Sequence, residues 1–80
     1  MTGEECYSTI MNSGQSWAID RANYAMQIHN AVLARQMSPD EARELLTDLI
    51  DTQKLDEASS DMQLRSVLVF GVTQVITMLG

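Results

Sequence analysis

The sequence predicts an all-α fold: an antiparallel hairpin array of three main helices at about 16–36, 39–53 and 60–79, preceded by an arm over residues 1–14 and completed by self-association. Three observations lead there. Ser38-Pro39-Asp40-Glu41 is the chemistry of a helix start placed mid-chain, residues 16–36 contain neither proline nor glycine, and Leu64, Leu68, Val72, Val75 and Leu79 repeat at alternating four- and three-residue steps.

In the arm, Cys6 with Ile10 and Tyr7 with Met11 are i,i+4 pairs that suit a short helix, closed by the turn residues Asn12-Ser13-Gly14. The reading is an arm of one or two helical turns, or an end that orders against a neighbour.

From Ser16 the chain is rich in alanine and in unbranched side chains that lose little entropy in a helix. At 100° steps, Ser16, Asp20, Asn23, Gln27 and Asn30 fall on one narrow polar strip, and the rest of the circumference is mostly apolar. A helix so dry is expected at the centre of the array. Ala18, Ala22 and Ala25 form a small-residue stripe that admits another backbone, and His29 extends it by a turn.

The first long helix is expected to run to Met37, because the residue before a proline is pushed out of the α region. Ser38 then serves as N-cap, Pro39 as the first helical residue and Glu41 as the far end of a capping box, with Asp40 and Glu41 at the positive end of the helix dipole. The second helix is predicted to continue to about Gln53, with Ala42, Leu45, Leu46, Leu49 and Ile50 on a buried face and Glu44, Asp48 and Asp51 on a wet one. Leu55 to Ser60 reads as a connection, and Ser59 or Ser60 as the cap of the last helix.

That last segment carries no charge after Arg65, and even its polar side, Gln63, Ser66, Thr73, Gln74 and Thr77, is uncharged. Its β-branched residues and Gly71 leave a strand over part of 66–79 as the alternative. The apolar stripe is coherent over four turns, and a lone strand would lack a partner, so helix is the better reading.

Eighty residues make a single small domain whose own core is marginal. With one cysteine, Cys6, and one histidine, His29, neither a disulfide framework nor a structural zinc site can staple it. Association is the expected support, most simply a symmetric homodimer through Ala18, Ala22, Ala25 and His29 of the first long helix and Leu64, Leu68, Val72, Val75 and Leu79 of the last.

Sixteen charged residues with a net charge of -6 argue against direct binding to nucleic acid, which draws its affinity from lysine and arginine. Met1-Thr2-Gly3-Glu4-Glu5 carries acid where a secretory signal carries base, and the unpaired thiol suits a reducing interior, so the cytoplasm is the expected place. The uncharged run after Arg65 is shorter than the about 20 apolar residues that a membrane crossing needs.

Cys6 and His29 as nucleophile and base would need an orienting group and an oxyanion donor that no motif supplies. The adjacent Glu4, Glu5 and Cys6 cannot easily converge with His29 on one metal ion. The Glu44, Asp48, Asp51 ladder lacks the glycine of a calcium loop. Isolated glycines make no phosphate loop, so no cofactor and no enzymatic activity are expected. The expected function is a non-enzymatic protein–protein interaction module, an adaptor, chaperone or inhibitor, which presents a helical groove or the acidic face of Glu44, Asp48 and Asp51 to another protein. A structural oligomer subunit and an acidic nucleic-acid mimic are the alternatives.

Overall fold

A computed structural model describes residues 3–58 and 60–79. Among these described residues five helices follow in order: α1 (Gly3–Met11), α2 (Ser16–Leu33), α3 (Pro39–Leu49), α4 (Thr52–Ala58) and α5 (Met62–Met78). The all-α class holds, and α5 runs unbroken through Gly71, which removes the strand alternative for 66–79.

Four local features differ from the sequence reading. The arm is a nine-residue helix whose Cys6 and Ile10 are buried, because their i,i+4 spacing puts both on the side that meets α5 and α2. Second, α2 ends at Leu33, ahead of the proline. Gln36 N–H bonds the Ala31 carbonyl at 2.8 Å and Arg35 N–H bonds that of Val32 at 3.0 Å, a Schellman closure with Arg35 in the left-handed region at φ 60°. Arginine occupies a place that usually belongs to glycine.

Third, the second helix and its connection are two helices. The chain breaks at Ile50, and the Asp51 carboxylate accepts a hydrogen bond from Lys54 N–H at 3.2 Å, the bond an N-cap makes to the third residue of a new helix. Leu55, read as linker, is 2 % exposed and anchors α4 to the core. Fourth, α5 is capped by Asp61 and not by a serine: its Oδ1 accepts from Leu64 N–H at 3.0 Å.

The corner at Ser38 has the expected form. Ser38 Oγ accepts from Glu41 N–H at 3.2 Å and donates to Glu41 Oε1 at 3.3 Å, so the returning bond of the box reaches the hydroxyl. Asp40 pairs with Arg43 at 2.8 Å in the first turn of α3.

The core forms where α2, α3 and α5 meet, with Leu46 and Leu68 fully enclosed, Ala18 and Ala42 at zero exposure, and Leu64 and Val72 beside them. Alanines at Ala18, Ala22 and Ala25 shorten the distance at which neighbouring helices can pack. Both α2 and α5 pack on three other helices. The Cα radius of gyration is 11.9 Å, close to the ~12 Å expected for a compact domain of this length.

Candidate functional site

The residues assigned to contact between copies are largely enclosed within one chain. Ala18, Ala22, Ala25, Leu64, Leu68 and Val72 are all buried, whereas His29, Val75 and Leu79 are half-buried. Their burial has a simple cause. The seam of α5 is turned inward and covered by α1, α2 and α3, with the short α1 packing as a full member of the array.

The acidic face is also partly engaged. Asp48 holds Lys54 Nζ at 2.6 Å, and this hydrogen bond is the main reason that the Lys54 pKa is raised. Asp51 caps α4, and only Glu44 of the three has neither a hydrogen bond nor an ion pair. Asp48 thus ties α3 to α4 and Asp51 starts α4, a structural employment that their spacing did not reveal.

An open groove of about 650 Å³ lies between α1, α2 and α5. Buried Ala22, Ala25, Leu68 and Val72 form its floor. Along its rim Tyr7, Met26 and Met78 are 36 %, 38 % and 67 % exposed. Tyr7 OH donates to Asn23 Oδ1 at 3.0 Å and ties α1 to α2. His29 and Gln74 add two half-buried polar side chains, and among the described residues no carboxylate, lysine or arginine lines the groove.

Cys6 and His29 both line this groove, yet no hydrogen bond joins them. Burial pushes the Cys6 thiol pKa up, and the adjacent Glu5 carboxylate acts in the same direction. That is the reverse of what an activated nucleophile needs, since the thiolate is the reactive form. Among the described residues no three of His, Cys, Asp and Glu converge as metal ligands would, and no helix is long and apolar enough to cross a membrane.

Sequence reasoning singled out the groove floor for another role and missed the rim. Its signals were present in two forms: the i,i+4 pairs of α1, which imply a docking face, and the methionines Met26 and Met78. In comparisons with known proteins, the chain matches no family model, no curated protein and no solved structure.

Proposed function

We propose that the chain is a non-enzymatic protein–protein interaction module, working as a homodimer, that receives the apolar face of an amphipathic helix in the groove between α1, α2 and α5. The observation that carries this reading is the contrast between the groove and the body around it. A charge-free apolar trough, rimmed by Met26 and Met78, lies in a chain of net charge -6. Methionine side chains are unbranched and polarizable, so they adapt to varied apolar contours, and helix-in-groove recognition uses such surfaces. The acidic body favours a helix whose apolar face is flanked by lysine or arginine.

Fluorescence anisotropy with labelled amphipathic peptides tests the reading. Peptides with basic flanks should bind and weaken as salt rises, because exposed charges are screened. The same apolar face with acidic flanks should bind less. Met26→Glu and Met78→Glu place a carboxylate on the exposed rim and should abolish binding with helical content unchanged. Binding that survives both substitutions would move the site away from the groove, and no binding by any basic-flanked peptide would defeat the reading.

A further inference from the structure

We infer that two copies of the chain pair through the outer face of α5, antiparallel about a two-fold axis at Phe70. On that face Gln63, Ser66, Phe70, Thr73 and Thr77 are all exposed, and their spacing of three, four, three and four residues is that of a helix–helix seam. It differs from the apolar seam of Leu64, Leu68 and Val72, which lies on the buried side of the same helix. The proposal rests on the homodimer part of the reading above and gives it a place.

Charge selects the occupant. A solvated protein surface has about 25–35 % charged residues, whereas none of these five exposed positions bears a charge. Identical copies carry identical charges, so two bodies of net charge -6 approach with least repulsion where neither presents a carboxylate. A lipid surface or nucleic acid would favour lysine or arginine here, and there is none.

The stripe is also self-complementary, as a two-fold contact requires. Phe70 stands midway between Gln63 and Thr77, so an antiparallel pair sets Gln63 against Thr77 of the partner subunit, Ser66 against Thr73 of the partner subunit, and the two Phe70 rings at the axis. Phe70 is 44 % exposed in the single chain, and the small Ser66 and Thr73 on either side leave room for the other ring. Antiparallel helices also oppose their dipoles favourably. The seam from 63 to 77 is about 21 Å long, short for a standard interface of about 800 Å² per partner. The pairing should accordingly vary with concentration.

Sedimentation equilibrium over about 1 µM to 1 mM brackets affinities of that order. The chain should pass from monomer to dimer, and Phe70→Glu, a substitution at an exposed position, should shift the midpoint at least tenfold upward with helicity retained. In a Cys6→Ala background, a short bismaleimide should join Ser66→Cys to Thr73→Cys chains in a mixture far more than either alone. A monomer throughout, a dimer indifferent to Phe70→Glu, or cross-linking of each single variant to itself and not to the other would overturn the interface. So would co-sedimentation of a purely monomeric chain with neutral phosphatidylcholine vesicles, lost on Phe70→Glu. The Phe70→Glu monomer should still bind the basic-flanked peptide, and Met26→Glu should still dimerise, so failure of the interface and failure of the groove are read separately.

Discussion

Gly71 lies in the middle of α5, where glycine costs about 0.8–1.0 kcal/mol relative to alanine. A β-carbon added there would lie 3.1 Å from Cβ of Cys6 and 3.8 Å from its Sγ, whereas carbon atoms rest at about 3.5–4.0 Å. Gly71→Ala therefore needs α1 to retreat by about 0.4–0.9 Å, against a packed face, and such overpacking costs about 1–3 kcal/mol. Set against the gain in helix propensity, the net change is a loss of up to about 2 kcal/mol. The close contact is with a β-carbon, so Cys6→Ala leaves it in place and Cys6→Gly removes it. In a Cys6→Gly background Gly71→Ala should instead stabilise by about 1 kcal/mol. A double-mutant cycle measured by urea denaturation should give a coupling of about 1–3 kcal/mol between the two sites. If Gly71→Ala stabilised both backgrounds equally, α1 would not pack on α5 as described, and the groove wall it forms would go with it.

Three further outcomes follow from the same packing and caps. Asp61→Ala and Ser38→Ala should each cost about 0.5–2 kcal/mol in thermal or urea unfolding, whereas Ser60→Ala should stay within about 0.5 kcal/mol; the reverse order at 60 and 61 would mean that α5 starts a residue earlier. Leu46→Ala, at a side chain with no exposure, should cost about 2–5 kcal/mol, enough to populate the unfolded chain, and a loss below about 1 kcal/mol would place Leu46 outside the core. Because burial raises the folded-state pKa of Cys6, the unfolded chain releases its thiol proton first. Stability should thus be level below the ordinary thiol pKa of about 8.5 and fall as pH rises from there toward the folded value. Cys6→Ala should flatten that limb of the urea-midpoint profile, and an unchanged slope would assign it to other groups.

The corner at Ser38 was legible because every determinant is local: a hydroxyl, a fixed φ and a carboxylate three residues on act on their own turn. The cap at Asp51 is equally local and was obscured by its place on a periodic acidic face, where a charge ladder and an N-cap look alike. Leu55 shows the same difficulty from the apolar side, since a single leucine among Asp56, Glu57 and Lys54 has no period to betray its burial. The groove was less legible still. Its floor residues were visible as stripes, but which helix would cover them was not.

By itself, the amino-acid sequence determined that this chain is helical, where α3 begins, and which residues are apolar enough to be enclosed, because propensity, capping and periodicity act within a few turns. Only the tertiary structure decided that α1 docks on α5 at Gly71, that α4 exists as a separate helix, and that the alanine and leucine stripes close on each other within one chain. Those outcomes depend on which faces meet across long sequence separations, and an apolar stripe is equally content against its own chain or a second copy. Among the described residues, geometry leaves apolar side chains outward at the groove rim, at Phe70 on the outer face of α5, and also at Leu33 and Met62.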